Sequence, residues 1–291
     1  MSLYLALNPD ATGIVSDLNP IQTKHSSDGE EVSLPVYLFN DGKRTNVPND
    51  DNPPPLIYTN IQIKLQGVTY TLAQQVDSNI STTILVFDSI TGWNIGTIIK
   101  VGSLERCRIE EIVSNTTVRV TRNYTADGKS STISGHSIGE LGVAETTSIS
   151  LALPDPNDTT YSTVGTFLTG GTSITTGINP TILAQSLDNL EASNIVKSNA
   201  GLKYTENSVI KIDSEQMKVI AVVGNDIQVI RGYNSTTRAS HSSGTTIYCV
   251  GIVDIAPTTY KIFIKNDPPA GLPTQKKKDI KIVIVADEEP L

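Results

Sequence analysis

One short pattern occurs twice in the chain, and this duplication limits the folds that the chain can adopt. Residues 72–77 read LAQQVD, and residues 183–188 read LAQSLD. The longer segments that follow, residues 90–124 and 200–233, also match each other in parallel. Two copies of one sequence pattern predict two copies of one small domain, because each copy must bury the same apolar positions.

Residues of five types recur at equivalent positions in the two copies. A glutamate lies in one predicted strand, an arginine and a tyrosine end the next, and a histidine and a glycine follow the loop. The first copy supplies Glu105, Arg122, Tyr124, His136 and Gly139, and the second supplies Glu215, Arg231, Tyr233, His241 and Gly244. We interpret these pairs as structural, because both copies keep them while the loop between them changes.

Alternating apolar and polar residues dominate the rest of the sequence. The runs are short, rich in β-branched residues, and bounded by Gly, Asn, Asp or Pro; examples are GTIIKV, TTVRVTR, SISLAL, DIQVIR, TYKIFIK and DIKIVIV. This pattern predicts short strands joined by tight turns, and therefore an all-β fold class.

Two segments have apolar residues at helical spacing, and a short helix is predicted before each copy. They are residues 71–80 and residues 179–193. In the second segment, Asn179 occupies an N-cap position and Pro180 the first helical position. Its apolar residues at this spacing are Ile182, Leu183, Leu187 and Leu190.

The predicted strands divide the chain into a frame and two insertions. Residues 67–141 form β-cassette 1, residues 177–253 form β-cassette 2, and residues 142–176 bridge them. Neither end of the chain has enough strands to close a sandwich alone. We therefore predict that residues 1–66 and 254–291 together form an immunoglobulin-like β-sandwich. The last two predicted strands, TYKIFIK and DIKIVIV, are expected to form a hairpin or strand pair.

Charge and composition limit the classes of partner. The net charge of -8 argues against a nucleic-acid partner, because binding to phosphates needs clustered Lys and Arg. No apolar run approaches the roughly 20 residues that cross a bilayer, and the N-terminus has no signal-peptide pattern, so no membrane partner is expected. The two cysteines, Cys107 and Cys249, lie in predicted strands and are interpreted as buried thiols. A disulfide or a reactive pair is the alternative.

The pattern shared by the two copies resembles a cassette that recurs in virion proteins of tailed bacteriophages. The second copy carries the resemblance in NSVIKIDSEQMKVIAVVGNDIQVIRGY and in HSSG. The first copy departs from it, with RNY in place of RGY and a longer, more polar loop. The terminal segments PVYLFNDG and TYKIFIKNDPPAG are similar to the immunoglobulin-like frames of such proteins.

The resemblance implies a structural protein of the virion, of tail, baseplate or neck type, that is assembled in the host bacterial cytoplasm. Its partners would be other virion proteins and further copies of itself. The competing function class is a recognition module that binds host-surface glycans. Such a module stacks sugars on exposed aromatic rings, and the candidates near loops are Trp93, Tyr124, Tyr204 and Tyr233.

No catalytic residue is assigned, and the chain is not expected to be an enzyme. The histidines are His25, His136 and His241, and the last two are equivalent in the repeat. His241 lies among serines, but the chain has no G-x-S-x-G elbow and no fixed Asp partner is expected. We interpret the repeated imidazole as capping a hairpin turn through hydrogen bonds to backbone groups.

No metal or cofactor is expected either. Residues 49–52 and 155–160 are acidic loops with oxygen ligands that suit Ca²⁺, but they lack the EF-hand spacing. Asx turns explain them more simply. The glycine motifs that bind phosphates are absent from the sequence.

The repeated glutamates and arginines are expected to form one cross-strand ion pair in each cassette. Glu105 would pair with Arg122, and Glu215 with Arg231, each across a hairpin. A ligand-binding role is the alternative. The segment between the second pair and its histidine is the variable tip, and it is the expected contact region. This tip consists of Asn234, Ser235, Thr236, Thr237 and Arg238.

Opposite charges lie close together near the C-terminal end. Residues 276–282 read KKKDIKI, and residues 286–290 read ADEEP. The ordinary interpretation is a solvated loop and tail. The alternative is that these charges dock against neighbouring subunits and fix their register.

Overall fold

The structure of the chain is a computed structural model. It describes residues 3–8, 10, 12–15, 21, 32–40, 56–146, 148–160, 162–168, 173–201, 204–253, 260–266 and 279–290. His25, the acidic loop at residues 49–52 and the lysines at residues 276–278 lie outside the described residues.

The described residues form eighteen β-strands and no α-helix, so the predicted all-β class is confirmed. The strands are β1 (Leu3–Ala6), β2 (Val32–Asn40), β3 (Leu56–Gly67), β4 (Thr69–Thr71), β5 (Ile84–Val86), β6 (Ile98–Val101), β7 (Glu105–Ile112), β8 (Thr117–Thr121), β9 (Leu141–Ala144), β10 (Ile149–Ala152), β11 (Ile178–Ile182), β12 (Ile195–Lys197), β13 (Val209–Ile212), β14 (Glu215–Val223), β15 (Asp226–Tyr233), β16 (Thr246–Val253), β17 (Tyr260–Asn266) and β18 (Ile280–Pro290). In the described part of the chain, no helix is long and apolar enough to cross a membrane.

Strands from the two ends of the chain pair with each other. β2 runs antiparallel to β17, and β3 runs antiparallel to β18. The first pair belongs to a four-stranded sheet of order β1-β2-β17-β10, so a strand from the bridging segment joins the frame. Leu38 and Ile262 of this sheet share a buried cluster with Ile61 and Ile63 of β3, which gives a sandwich-like core.

The predicted C-terminal hairpin is wrong. β17 and β18 lie in different sheets, because each pairs with a strand from the N-terminal part of the chain. Alternating apolar and polar residues predict that a segment is a strand. The pattern does not identify the strand with which that segment pairs.

The two cassettes have the same strand order. Cassette 1 is a six-stranded sheet of order β4-β9-β6-β7-β8-β5, and β9 extends beyond residue 141 to Ala144. In cassette 2 the equivalent order is β11-β16-β13-β14-β15-β12. The difference lies in the attachment to the frame, because β16 also pairs with β3 and thereby joins the cassette 2 sheet to β3 and β18.

The two predicted helices are absent, and that prediction is wrong. The N–H group of Leu183 donates to the carbonyl of Thr245, and that of Leu187 donates to the carbonyl of His241. The first segment, at residues 71–80, forms the same kind of bridged loop. The two bridging leucines are four residues apart, which is also the spacing of apolar residues on one face of a helix. Apolar periodicity alone therefore does not distinguish this bridged loop from a helix.

Both cysteines are buried and free, which confirms the interpretation as buried thiols. Burial raises the pKa of the Cys249 thiol to about 12, and it also raises the pKa of Cys107. Both thiols therefore stay protonated and behave as small apolar side chains.

The corner between β3 and β4 depends on the absence of a side chain at Gly67. A Cβ atom there would lie 1.7 Å from the carbonyl oxygen of Ala144, at the end of β9. We expect Gly67→Ala to lower the free energy of unfolding by at least about 2 kcal/mol, because backbone must move to accommodate the methyl group. Trp93 is the only tryptophan and lies in the cassette 1 core, so its fluorescence during urea unfolding measures the loss.

Gly135→Ala is the matched control. A Cβ atom at this position would meet its nearest backbone atom at 3.5 Å, an ordinary contact. Equal urea midpoints for the two alanine variants would show that the close approach at Gly67 does not limit the fold.

Candidate functional site

Cassette 1 contains a fully buried ion pair at the base of its β7–β8 hairpin. Glu105 begins β7 and Arg122 directly follows β8. The Arg122 Nε donates to Glu105 Oε1 at 2.7 Å, and Nη2 donates to Oε2 at 2.5 Å. Both side chains are 0% exposed. The ion pair that the repeat predicts is therefore present, in the bidentate geometry that binds most strongly.

The remaining donors of Arg122 bind backbone carbonyls of the surrounding loops. Nη1 donates to Asp77 O at 2.6 Å and to Asn79 O at 3.0 Å, and Nη2 also donates to Ser134 O at 2.6 Å. One guanidinium group thus joins the loop after β4 and the loop before β9 to the hairpin.

His136 completes the cluster by lying between two carboxylates. Its Nε2 is 2.8 Å from Glu105 Oε2, and its Nδ1 is 2.9 Å from Glu140 Oε2. The interpretation that the ring caps a turn through backbone groups is wrong. The His136 backbone makes the loop bridge with Val76, and the ring points inward to the acids. Each ring nitrogen of His136 thus faces one carboxylate oxygen.

Cassette 2 repeats the ion pair and its loop contacts. Arg231 Nε and Nη2 donate to Glu215 Oε1 and Oε2, both at 2.7 Å, and the two side chains are 2% and 0% exposed. Nη1 donates to Asp188 O at 2.8 Å and to Ser193 O at 3.0 Å, while Nη2 donates to Ala239 O at 2.7 Å. The guanidinium group has the same role in both copies.

The second acid at the histidine comes from a different place in each copy. His241 Nε2 is 3.0 Å from Glu215 Oε2, and Nδ1 is 2.8 Å from Asp213 Oδ2 in the β13–β14 turn. Gly102 holds the equivalent turn position in cassette 1, where a Cβ atom would lie 2.7 Å from Glu140 Oε2. The match between the two copies did not reveal Glu140 or Asp213. Such a match finds only residues of the same type at equivalent positions, and these two acids are at different positions.

Hydrogen bonds keep the buried glutamates ionised. Burial raises the pKa of Glu215, but hydrogen bonds from Arg231, the Ala239 N–H and His241 outweigh it and lower the pKa to about 2. The pKa of Glu105 is lowered through the same balance of burial and hydrogen bonds. Because both carboxylates are buried and engaged by these donors, the geometry favours the architectural role over ligand binding.

The repeated glycines occupy turns that favour glycine. Gly139 has φ of 92° and Gly244 has φ of 86°. Their N–H groups donate to the carbonyls of Leu72 and Leu183, which closes each loop onto the start of its cassette. A side chain at either position would strain the backbone, which explains why both copies retain glycine.

The repeated tyrosines lie beside cationic side chains. The Tyr124 ring is 5.9 Å from the guanidinium carbons of both Arg106 and Arg108. The Tyr233 ring is 5.9 Å from Lys218 Nζ and packs on the small cluster that contains Val209. In each cassette, a cationic side chain of the same cassette therefore already lies over the tyrosine ring.

Trp93 and Tyr204 are core residues, so their selection as loop-surface candidates for sugar stacking is wrong. Trp93 is 4% exposed, and its Nε1 donates to Val68 O at 3.1 Å. The Tyr204 hydroxyl contacts the carbonyls of Asn179 at 2.8 Å and Ile247 at 3.1 Å. Both aromatic rings are buried although they lie near turns in the sequence, because the indole N–H and the phenol hydroxyl form hydrogen bonds with backbone carbonyls.

The variable tip of cassette 2 is mostly exposed. Four of its residues face solvent, whereas Thr236 is half-buried and its Oγ1 accepts the Gln216 N–H at 3.0 Å. Asn234 donates to Gln216 Oε1 at 2.9 Å, and Arg238 lies 3.5 Å from the exposed acid of Glu191. A contact role for this tip stays a prediction.

The loop of cassette 1 is held by a second ionic network that sequence analysis missed. Arg106, the counterpart of Gln216, is buried and binds Asp127 at 2.8 and 2.6 Å and Glu145 at 2.7 and 2.8 Å. The Arg106 hydrogen bonds lower the pKa of Asp127 to about 2. The two tips therefore have different chemistry on the same strand order.

The acidic loop at residues 155–160 forms the expected Asx turns. The Asn157 N–H donates to Asp155 Oδ1 at 2.8 Å, and the Thr160 N–H donates to Asp158 Oδ1 at 2.7 Å. Within the described ranges, no group of three or more His, Cys, Asp or Glu side chains is arranged to hold a metal ion.

Removal of the buried arginine should be far more costly than removal of an exposed one. We expect Arg122→Met to lower the free energy of unfolding by about 3–5 kcal/mol, because Glu105 then stays buried without its partner. Arg119→Met is the matched control, since Arg119 and Glu111 pair at 2.7 Å with side chains 52% and 53% exposed, and it should cost less than about 1 kcal/mol.

Trp93 fluorescence during urea unfolding measures both arginine variants. The double variant Glu105→Gln/Arg122→Met should recover part of the loss, because no buried charge is left alone. Equal losses for Arg122→Met and Arg119→Met would contradict a structural role of the buried pair.

The lowered glutamate pKa predicts acid sensitivity. Glu215 has a folded pKa of about 2 against an ordinary value of 4.5, so the unfolded chain binds more protons between these values. Its contribution to the free energy of unfolding is therefore complete above the ordinary pKa and is lost as the pH falls toward about 2.

Urea midpoints from circular dichroism between about pH 7 and about pH 3 test this dependence. Glu215→Gln should be less stable than the wild type at neutral pH and lose less stability in acid. Glu191→Gln, whose side chain is 89% exposed, is the control and should follow the wild type. The assignment fails if Glu215→Gln and the wild type lose stability equally.

No protein-family model matches this chain, and no curated protein matches it at a significant level.

Proposed function

We propose that the chain is a structural component of a tailed-phage virion, of tail, baseplate or neck type. It acts through protein–protein contacts in a symmetric assembly, with other virion proteins and copies of itself as partners. The resemblance of the duplicated pattern to phage virion cassettes supports this proposal, and the all-β architecture is compatible with it. Repeated weak contacts in a symmetric particle add to a strong attachment.

The observation that carries the proposal is one scaffold with two different outer surfaces. The cassettes share their strand order and their buried ionic cluster. On the outer face of cassette 1, Arg119 pairs with Glu111. Thr121 lies on the same face and donates to Glu110. The equivalent positions of cassette 2 carry Gln228, Ala221 and Ile230, by the register of the paired strands.

Two apolar residues on the outer face of cassette 2 replace polar residues of cassette 1. Ile230, which is 51% exposed, stands where cassette 1 has Thr121, and Ile220, which is 38% exposed, stands where it has Glu110. The edge strands do not differ in this way, because Ile195 and its counterpart Ile84 are 48% and 39% exposed. Large apolar side chains grouped on one face are characteristic of protein contact surfaces. A duplicated domain whose buried cluster is retained and whose surface has changed fits a part that binds different neighbours.

The proposal assigns no catalytic step to the chain. The acids that face Nε2 of the two histidines, Glu105 and Glu215, are buried and already hydrogen-bonded to arginine, histidine and backbone N–H groups. The acids that face Nδ1, Glu140 and Asp213, are 36% and 59% exposed, but the imidazole rings between the acids are buried. A general base must reach the proton that it removes, and neither the rings nor the two glutamates at Nε2 reach solvent.

Immunogold labelling of density-purified particles of the encoding phage tests the proposal. Antibodies against the recombinant chain should label the tail, baseplate or neck at a constant position, and mass spectrometry should find a copy number that matches the local symmetry. Pre-immune serum is the control. Absence from purified particles, despite synthesis in infected cells, would overturn the proposal.

A glycan array with the recombinant chain tests the competing function. Saturable binding to one glycan class, in a chain that also labels the distal tail tip, would replace the structural proposal by a receptor-recognition function. Purely structural attachment predicts labelled particles and no glycan binding.

A further inference from the structure

One sheet edge of the molecule is much longer than the others. β18 is eleven residues long, pairs with β3 from Ile280 to Pro290, and ends the large sheet. Among the described residues, no strand pairs with its other side. Among the described strands, the others that end a sheet are three to five residues long: β1, β4, β5, β10, β11 and β12.

A long edge strand exposes a row of backbone donors and acceptors that can pair with another chain. Natural proteins usually shorten or block such edges to prevent unwanted association. The other terminal strands of the described sheets are short, whereas β18 is long and its pairing with β3 is interrupted only by a register shift between Val285 and Asp287. Strand addition at such an edge gains main-chain hydrogen bonds along its length.

The side chains of β18 are arranged with opposite charges at its two ends. Lys281 lies near the start and is exposed, whereas Asp287 and Glu288 lie near the end and are exposed. Val283 and the 42% exposed Val285 lie between them. Asn60 donates to Asp287 at 2.6 Å and the Tyr58 hydroxyl donates to Glu288 at 3.3 Å, so contacts from β3 hold the acids in position.

We propose that β18 pairs antiparallel with β18 of a second copy across a two-fold axis. Antiparallel pairing brings the start of one strand to the end of the other. Each Lys281 then lies on the same face as Asp287 of the partner strand and beside it, and the valines meet at the centre. A parallel arrangement would instead place like charges side by side, which is unfavourable. The proposal rests on the self-assembly in the proposed function and names the surface that performs it.

The two-fold axis makes every favourable contact occur twice. In an isologous interface, a residue contacts the same partner residue in both directions. One charge reversal therefore disrupts two charge pairs in the dimer, which makes association sensitive to single substitutions. The joined sheets would run continuously from one copy to the other.

Charge reversal in the full-length chain tests the proposal by analytical ultracentrifugation over a range of concentrations. We expect a wild-type dimer, and a dissociation constant at least about tenfold higher for Lys281→Glu and for Asp287→Lys. Lys100→Glu is the matched control, because Lys100 is exposed on β6 of cassette 1 and should leave the dimer unchanged.

A mixture of the two variants distinguishes a lost charge pair from damaged folding. Each variant alone has like charges at both ends of the interface, whereas the mixed pair has opposite charges at both ends. The mixture should therefore form a heterodimer with an affinity within about threefold of the wild type. Circular dichroism confirms that each variant is folded.

A wild-type chain that stays monomeric would overturn the proposal. So would a dimer that is insensitive to Lys281→Glu, or a mixture that does not associate. Particle labelling separates this failure from that of the proposed function. Labelled particles together with a charge-insensitive chain would reject the β18 interface and retain the structural function.

Discussion

Each cassette depends on one buried guanidinium group that binds the carbonyl groups of irregular loops. The carbonyl groups belong to loop residues near the surface, such as the exposed Asp77, Asn79 and Asp188, and one internal donor group joins these loops to the hairpin. Arg122 and Arg231 each supply donors to three such carbonyls and to one glutamate. The glutamate neutralises the charge, and the histidine occupies one of its oxygens. Strand order, loop closure and the position of the tip therefore all depend on the same cluster.

The two copies differ in how firmly they join the frame. The apolar core of cassette 2 is continuous with that of the frame, and its sheet continues into β3 through β16. Cassette 1 has a separate apolar core. It meets the start of β18 through polar contacts, where Thr97 donates to the buried Asp279 at 2.7 Å and the Val68 N–H donates to the Asp279 carbonyl. Independent movement of cassette 1 would leave the main core intact.

Sequence patterns identified the all-β class and the two ion pairs, because both depend on local or repeated features. Period-two alternation directly reflects the two faces of a strand, and Glu215 and Arg231 recur at one spacing in both copies. The loops were interpreted incorrectly as helices, since Leu183 and Leu187 bridge other strands at helical spacing. The strand partners of β17 and β18 depend on contacts between distant parts of the chain, about which the alternation carries no information.

The acids that face Nδ1 of the two histidines come from different turns, so the two copies hold the same ring in two ways. A Cβ atom at Gly102 would lie 2.7 Å from Glu140 Oε2, at the end of a flexible side chain. An aspartate at position 102 would therefore displace the carboxylate of Glu140, and the two acids would compete for one ring nitrogen. The positions are thus coupled: the effect of an acid at one depends on whether the other already holds an acid.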